Sequence, residues 1–366
     1  MVRRILTLIV FVPLTVGGGL RGQASEGTWG FAVSGDSRNC GDVVMPAIAE
    51  SALKQRAEFY WHLGDFRAIF NFDQDYLQLH SAANISQYEN NAWSDFIEHQ
   101  IKPFGEMPVY LSIGNHETIS PKTRPEYLVQ FADWLVTPTL ELQRLSDDPS
   151  DHKLRAYYHW IVRNVDFVNL DNATEDQFDS DQINWFAAVL RRAAKDDKIR
   201  SVVVGMHAAL PDSLSAGHSM NESGQGTASG RVVYDELLSF RRTSGKAVYV
   251  LASHSHFFLS DVYATACRVK ADVLPGWIVG TAGAVRYRLP RGVKPSDRAI
   301  QDTYGYLLGT VSPDGTIRFD FESISEAEAL SRTKEFTPAF VHTCFEDNKS
   351  TYVPDGPVCE KTADGR

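Results

Sequence analysis

Five short segments between residues 36 and 256 contain side chains that bind metal ions, and each segment follows an apolar run. In chain order they read GDSR, GD, GNHE, MH and SHSH, and their candidate ligands are Asp36, Asp65, Asn115, His207, His254 and His256. Carboxylate, amide and imidazole groups together suit hard to borderline metal ions. Taken singly, each residue has a structural alternative, since Asp caps helices and Gly-Asp or Gly-Asn pairs form turns. The ordered set favours a metal-dependent active site.

The apolar runs before these segments predict strands that alternate with amphipathic helices. The predicted strands of this half are Trp29–Ser34, Glu58–Leu63, Pro108–Ile113, Tyr157–Arg163, Val165–Leu170, Ser201–Met206 and Ala247–Ala252. The predicted helices include Val43–Arg56, Ser180–Ala194 and Val232–Arg242. In open α/β sheets, ligands bind outside the carboxyl ends of the strands. The pattern therefore predicts that the five segments meet at one edge.

After residue 257 the pattern changes to successive strands. They are predicted at Phe258–Tyr263, Gly276–Thr281, Tyr304–Val311 and Thr316–Glu322, and the turn Ser312–Gly315 has the composition of a hairpin. An alternating half followed by an antiparallel half predicts an α/β fold with two sheets packed face to face and helices outside. The stretch Ser213–Gly230 is rich in Ser, Gly and Asn and is predicted to be a flexible loop near the site.

The ordered motifs resemble those of the calcineurin-like metallophosphoesterases, a family that includes the purple acid phosphatases. The matching segments read GDSR, GDFR, GNHE, VVGMHA and SHSH, and GNHE is the most specific of them. The resemblance covers residues 28 to 325. It implies a four-layer α-β-β-α sandwich of two mixed sheets with flanking helices, and a hydrolase that acts on phosphate esters.

In this family two metal ions lie side by side, ~3.5–4 Å apart as in other binuclear hydrolases. The resemblance places the Asp65 carboxylate between the ions as a bridge. The first metal site would comprise Asp36, Asp65 and His256, and the second Asp65, Asn115, His207 and His254. The ions would be divalent or trivalent, with Mn, Fe and Zn as candidates that this ligand set does not separate.

The resemblance also implies the chemistry of the site. A hydroxide held between the ions would attack phosphorus in line, while the ions stabilise charge on the phosphoryl oxygens. His116 would be the general acid for the leaving group or a donor to the phosphoryl group, and Asp36 would be the partner that orients it. The candidate substrate-binding residues are Arg38, Asn115 and His116.

Position 38 departs from the family pattern. The family has a metal-binding His there, and purple acid phosphatases instead have a Tyr three residues after the bridging Asp. Here these two positions hold Arg38 and Ala68. Because Arg has no lone pair to offer a cation, the first metal site lacks one ligand, which water would replace. Arg38 would point at the substrate phosphate, for which its planar fork is suited, or form a surface ion pair.

Two further positions near the motifs have open interpretations. Arg67, two residues after Asp65, would face either the cleft or solvent. Ser253 stands where the family commonly has Gly, and it is tolerable there if the backbone does not need a positive φ.

The first residues have the pattern of a secretory signal peptide. Arg3 and Arg4 precede an apolar run, Ile5–Val16, and small residues follow. A membrane anchor is the alternative, but the run is short for a bilayer span. We therefore expect a signal peptide at 1–24, a catalytic domain at 25–325 and a C-terminal tail at 326–366, in a secreted or periplasmic protein.

The four cysteines fit two disulfide bonds in an exported protein. Cys344 and Cys359 bracket a polar loop and would staple the tail locally, which leaves Cys40 to pair with Cys267. Three pairings are open, and the sequence does not choose among them.

Composition and net charge limit the classes of protein to which this chain can belong. The 366 residues are 43% apolar, enough for a sizeable core, and the net charge of -10 argues against a nucleic-acid scaffold. The leading prediction is a hydrolase of small phosphate mono- or diesters, with Arg38 favouring monoesters. The alternatives are a non-catalytic phosphate- or ligand-binding protein on a degenerate scaffold, and a purely structural metal site. The oligomeric state stays open.

Overall fold

The computed structural model describes residues 27–174 and 176–359, and the predicted signal peptide at 1–24 lies outside the described residues. In chain order the strands are β1 (Trp29–Ser34), β2 (Ala57–His62), β3 (Val109–Leu111), β4 (Tyr158–Val162), β5 (Val165–Asn169), β6 (Ser201–Gly205), β7 (Ala247–Ala252), β8 (Phe258–Ser260), β9 (Gly276–Val279), β10 (Ala299–Ile300), β11 (Tyr304–Val311) and β12 (Ile317–Ile324). The α-helices are α1 (Gly41–Lys54), α2 (Gln74–Leu79), α3 (Ile85–Phe96), α4 (Arg124–Gln130), α5 (Ala132–Leu135), α6 (Pro138–Asp147), α7 (Ser180–Lys195), α8 (Gly224–Ser244), α9 (Glu326–Arg332) and α10 (Pro338–Glu346).

Within the described residues the strands form two mixed sheets. The first has the order β12-β11-β1-β2-β3, and the second has the order β10-β8-β9-β7-β6-β5-β4. Strands β1, β2 and β3 run parallel, as do β5, β6, β7 and β9, while β11, β12, β4, β8 and β10 pair antiparallel with their neighbours. Most strands of the alternating half are therefore parallel, and β4 is the exception. The predicted hairpin joins β11 to β12, where Ser312 N–H donates to the Thr316 carbonyl (2.9 Å).

An aromatic core between the sheets holds them face to face. Phe31 of the first sheet and Phe167 of the second have ring centroids 4.9 Å apart, and Trp61 and Trp160 lie 5.0 Å apart. Side chains alternate between the faces of a strand, so Phe31 points into this core while its neighbour Ala32 packs on the outer face. Aromatic pairs at this spacing contribute beyond the apolar area that they bury.

The outer faces of both sheets are covered by helices. On the first sheet, Val44 and Ile48 of α1 pack with Tyr60 of β2. On the second, Phe186 of α7 packs with Val204 of β6, together with residues of α8. The molecule is therefore the predicted four-layer α-β-β-α sandwich. No helix of the described residues has the length and apolarity that crossing a bilayer requires.

The stretch Ser213–Gly230 contains regular secondary structure, and the prediction that it is a loop throughout is wrong. It contains 3-10 turns at Ala216–His218 and Met220–Glu222 before α8 begins. Ser215 is buried and its hydroxyl lies 2.8 Å from that of Ser255. The serines here are buried or cap helices, so the polar composition reflects local hydrogen bonding.

The C-terminal segment is also more structured than its composition indicates. The sequence predicts an acidic, loop-like tail from about Ser323, but β12 continues to Ile324 and is followed by α9 and α10. Helix α9 begins with a capping box, in which Ser325 accepts from Glu328 N–H and the Glu328 side chain accepts in return. Helix α9 packs against α1.

Disulfide bonds join this segment to the body of the molecule. They link Cys40 with Cys344 and Cys267 with Cys359. The expected local staple between Cys344 and Cys359 is wrong, because α10 folds back and brings the buried Cys344 to the start of α1, where the Cα atoms of Cys40 and Cys344 are 5.9 Å apart.

The two disulfides should differ in their contribution to stability. The Cys40–Cys344 bond spans 304 residues and the Cys267–Cys359 bond spans 92. Loop-closure entropy alone then predicts that the double alanine variant at Cys40 and Cys344 loses about 1 kcal/mol more than the double variant at Cys267 and Cys359. Guanidinium unfolding of both variants measures this, and an equal loss or the reverse order would contradict the assignment of the larger role to Cys40–Cys344.

A buried histidine on β4 gives the fold a pH dependence. His159 lies between two carboxylates, with Nε2 2.7 Å from Asp147 Oδ2 and Nδ1 2.8 Å from Asp166 Oδ1. Burial disfavours its charged form, but the two carboxylates outweigh burial and raise the pKa of His159 to about 9.

This raised pKa stabilises the fold fully below the unfolded-state pKa of ~6.5, and the contribution disappears as pH rises through the folded-state value. We expect the free energy of unfolding to fall between pH 7 and pH 10, by an amount on the order of 3 kcal/mol from this residue. A His159→Gln variant should show a flatter profile in chemical denaturation, whereas the exposed control His342→Gln should keep the wild-type profile. A wild-type slope retained in His159→Gln would refute the assignment.

Candidate metal centre

The loops that follow β1, β2, β3, β6 and β7 meet at one end of the sandwich. Backbone bonds join them within each sheet, where Asp36 N–H donates to the Gly64 carbonyl (3.0 Å) and Ser253 N–H to the His207 carbonyl (2.8 Å), and across the sheets, where Gly35 N–H donates to the Val279 carbonyl (3.1 Å). The backbone N–H of His254 donates to Asp36 Oδ2 (2.7 Å). The structure therefore brings together the residues that the strand-end pattern singled out.

Three of these residues have a left-handed backbone. Asp36, Asp65 and His254 have φ angles of 60°, 61° and 65°, which are costly for residues with a Cβ. Such turns redirect each side chain towards the space between the sheets. Ser253 itself is not in this conformation, so the condition for serine at this position is met. Gly114 is needed beside Asp65, because a Cβ there would lie 2.4 Å from Asp65 Oδ1.

The donor atoms of the predicted second metal site converge. His207 Nε2 lies 2.9 Å from Asn115 Oδ1, 3.3 Å from Asp65 Oδ1 and 3.0 Å from His254 Nδ1. Ligands held ~2.1 Å from one ion at near-right angles are ~3 Å from each other. The spacing of these four residues therefore fits coordination of a single cation.

Hydrogen bonding alone does not satisfy these atoms. His207 Nδ1 lies 2.9 Å from the Leu63 carbonyl, which holds a proton on Nδ1 and turns Nε2 towards the cluster, where it ligates a metal once its own proton is displaced. Asp65 Oδ2 is buried and has no hydrogen-bond partner within the described residues. His254 Nε2 has none there either, so a ring proton on Nε2 leaves the lone pair on Nδ1, the atom that faces His207. Asp65, His207 and His254 also form a group whose candidate ligand atoms lie within 4.8 Å of one another. The residues present thus fit a divalent metal.

The charges of the site also favour a cation. Burial disfavours a charged His207, but the carboxylates of Asp65 and Asp36 outweigh burial and raise the pKa of His207 to about 10. Burial, with His218 and His207 nearby, holds the pKa of His254 well below its ordinary value, so His254 is neutral and able to ligate. A buried carboxylate pair therefore attracts positive charge to this point.

The predicted first metal site has a different arrangement. His256 Nε2 lies 3.2 Å from Asp36 Oδ1, and His256 Nδ1 lies 2.6 Å from the Val285 carbonyl. The guanidinium of Arg38 lies against the same atoms, with Nη2 2.9 Å from His256 Nε2 and Nε 3.7 Å from Asp65 Oδ2. The alternative of a surface ion pair for Arg38 is wrong, because its side chain is only 12% exposed and lies within the site.

His116 lies at the rim of the same space and is oriented by backbone. Its Nδ1 is 2.7 Å from the Ala68 carbonyl, and its Nε2 contacts Arg38 Nη1. Among the described residues, the expected contact between Asp36 and His116 is not observed. The Asp36 carboxylate instead accepts from His254 N–H and lies against His256 Nε2. Burial and then Arg38 lower the pKa of His116 to about 4, so its ring is neutral near pH 7.

Arg67 is neither in the cleft nor at the surface, and both interpretations of it are wrong. The side chain is fully buried, with Nη2 2.6 Å from Asp42 Oδ1 and Nη1 3.1 Å from Asp75 Oδ1, and it also contacts Asp95. These carboxylates come from three different segments of the chain, so sequence proximity to the motif gave no indication of this role.

Two residues of the site were not predicted from the sequence. Glu117 accepts hydrogen bonds from the backbone N–H groups of Asp65 (2.9 Å), Phe66 (2.9 Å) and Gly114 (2.8 Å), so it fastens two ligand loops together. Its position in the GNHE motif is the sequence feature that could have indicated this role. His218 stacks on His254 with ring centroids 3.9 Å apart. It lies in the stretch Ser213–Gly230, which the sequence predicts to be a flexible loop.

Comparison with known proteins agrees with this site. Residues 40–258 match the model of the calcineurin-like phosphoesterases, which is more than half of the chain, and the chain belongs to this family. A search of curated protein sequences finds no match. The family is one of metal-dependent phosphoesterases, and Asp65, His207 and His254 of this chain form a group that could hold a divalent metal.

Solved structures show the same fold. A purple acid phosphatase from yellow lupin seeds is 15% identical with a TM-score of 0.52, and the match covers 87% of this chain. The chain spans 57% of the length of that lupin enzyme. A dimetal phosphatase from Danio rerio is 12% identical with a TM-score of 0.50, and the match covers 81% of this chain and 98% of the other.

Glu117 should support the site through its backbone contacts. Replacement by Gln turns an amide N–H group towards backbone donors and removes the charge that strengthens the bonds. Burial and then Asp65 raise the pKa of Glu117 to about 7, so the comparison is made at about pH 8.5, where the carboxylate is charged. Bonds to a charged group contribute ~1.5–3 kcal/mol each, so we expect Glu117→Gln to lose at least about 2 kcal/mol of unfolding free energy and to bind metal more weakly. The exposed Glu126→Gln should stay within ~0.5 kcal/mol of wild type in the same denaturation experiment. Equal stabilities for the two variants would contradict this role.

Proposed function

We propose that this chain hydrolyses phosphate esters of small molecules, with a divalent metal held by Asp65, Asn115, His207 and His254. The observation that carries the proposal is the convergence of four candidate ligand atoms, in which Asn115 Oδ1, Asp65 Oδ1 and His254 Nδ1 lie 2.9–3.3 Å from His207 Nε2. A metal bound there would polarise a phosphoryl oxygen and lower the pKa of a water molecule.

The chain's own residues would hold the ester beside the metal. Arg38 and His116 border the ligand cluster, and the planar guanidinium of Arg38 can donate to phosphoryl oxygens. The Ala68 carbonyl fixes the His116 ring at its Nδ1, which leaves Nε2 facing the site. In the present arrangement Nε2 accepts from Arg38, so His116 donates to the leaving group only after the Arg38 contact is released and Nε2 has taken up a proton. The dianion of a monoester suits Arg38 better than a diester does.

The number of metal ions is a separate matter. The sequence predicts a binuclear site, with a first ion at Asp36, Asp65 and His256. These three residues do not fit a cation while Arg38 keeps its position, because its guanidinium contacts His256 and faces Asp65. The ion at this first site therefore stays a prediction. Mn, Fe and Zn are the candidate metals by ligand type.

We further propose that the protein is exported, with a mature catalytic domain at 25–325 and a tail at 326–366. Two disulfide bonds support this, since disulfides persist in oxidising compartments. The signal peptide expected at 1–24 lies outside the described residues and is a proposal on sequence grounds.

A non-catalytic binding protein is the second candidate, and the position of Arg38 is the observation that favours it. A degenerate scaffold would bind phosphate through Arg38 without turnover. Against it, the converging ligands at Asp65, Asn115, His207 and His254 are all present, which a scaffold without a metal would not require.

Hydrolysis should depend on the metal ligands. The chain from Ser25 would be assayed on p-nitrophenyl phosphate and its bis ester, with Mn, Zn, Fe or no added metal. We expect metal-dependent turnover with a preference for the monoester, and a loss of at least ~100-fold in His254→Ala and Asp65→Ala, because each removes a ligand. The exposed Asp320→Ala should retain wild-type activity. A folded, metal-loaded wild type that turns over neither ester would exclude the enzyme and favour the binding protein.

A further inference from the structure

The Arg38 guanidinium lies at the point where the family resemblance puts the first metal ion. Its Nη2 is 2.9 Å from His256 Nε2, its Nη1 contacts His116 Nε2, and its Nε is 3.7 Å from Asp65 Oδ2. Asp36 Oδ1 lies 3.2 Å from the same nitrogen of His256. A single positively charged group thus stands among the atoms that would ligate the ion.

The imidazoles around Arg38 present lone pairs to it. His256 Nδ1 lies 2.6 Å from the Val285 carbonyl and His116 Nδ1 lies 2.7 Å from the Ala68 carbonyl, so each ring keeps its proton on Nδ1. Each Nε2 then carries a lone pair that accepts from an Arg38 N–H group. A lone pair that accepts a proton donor is not available to a metal, so Arg38 and a first ion compete for His256.

Charge explains why Arg38 is stable there. The carboxylates of Asp36 and Asp65 are fully buried, and a buried carboxylate needs a partner of opposite charge. Arg is always protonated, so it supplies one positive charge at this position at every physiological pH. The same substitution that removes a ligand of the first ion therefore also supplies a replacement for part of the ion's charge.

We propose that Arg38 takes the place of the first metal ion, so that this chain binds one divalent ion, at Asp65, Asn115, His207 and His254. The inference rests on the proposed function for that ligand set. It makes the chain a one-metal member of a family whose site is otherwise binuclear. Phosphoryl oxygens would then be neutralised by the ion on one side and by the guanidinium on the other.

Metal counting on the intact protein tests the proposal. The wild type would be saturated with Mn²⁺, freed of unbound ion and analysed for bound Mn by mass spectrometry, with electron paramagnetic resonance as a second readout. We expect one ion per chain and the signal of an isolated Mn²⁺. Arg38→His removes the competing cation and adds a ligand, so it should bind two ions, and at ~3.5–4 Å their spins should couple.

Two further variants make the result decisive. Arg38→Ala removes the guanidinium without adding a ligand, and it should bind a second ion more weakly than Arg38→His does. Arg163→His is the matched control, because Arg163 is half exposed and pairs with Glu58 away from the site, and it should hold one ion. Thermal melting with and without Mn²⁺ establishes that each variant is folded before its ions are counted.

The outcomes separate this inference from the proposed function. Two coupled ions in the wild type would overturn the inference and leave phosphate-ester hydrolysis standing. A single ion in folded Arg38→His and Arg38→Ala would also overturn it, since Arg38 would then not be what excludes the second ion. One ion in the wild type and two in Arg38→His, in a protein without turnover, would support the inference and remove the proposed function.

Discussion

The constraint on which this end of the molecule depends is a buried group of carboxylate, amide and imidazole atoms that needs positive charge. Asp65 stands at their centre, with one oxygen near His207 and the other near Arg38. Each buried polar atom left unpaired costs about 1–3 kcal/mol, and each left-handed aspartate or histidine costs a similar amount. Positive charge at two points, a metal beside His207 and the guanidinium of Arg38, offsets these costs together.

The surrounding fold holds these groups in place through contacts from several parts of the chain. The aromatic layer between the sheets fixes the distance between the two sets of strand ends. Glu117 fastens the loops after β2 and β3 to each other. The buried Arg67 joins the loop after β2 to Asp42 at the start of α1, and Asp73 accepts from Asn39 N–H (2.6 Å), next to Arg38. The loop that carries Arg38 is therefore held by charges that do not belong to the site.

The fold and the meeting of the motif residues at one edge were predictable from sequence, because both depend on local patterns. Apolar runs of strand length, each ending in Asp, Asn or His, indicated the strands and their shared edge. What sequence did not show depends on non-local geometry. The direction of Arg38, the burial of Arg67 and the pairing of Cys40 with Cys344 are each decided by segments distant in the chain. His218 was missed for a different reason, since Ser and Gly around it are typical of loops but here cap and pack.

The direct test of this account is the position of the metal. Diffraction from crystals of the Mn-loaded protein, recorded at the manganese absorption edge, locates the ion through its anomalous scattering. The account predicts a peak within ~2.0–2.3 Å of His207 Nε2, with His254, Asn115 and Asp65 as its other ligands. An anomalous map with no peak at this donor set, at saturating metal, would contradict the claim that the buried lone pairs are there to bind a cation.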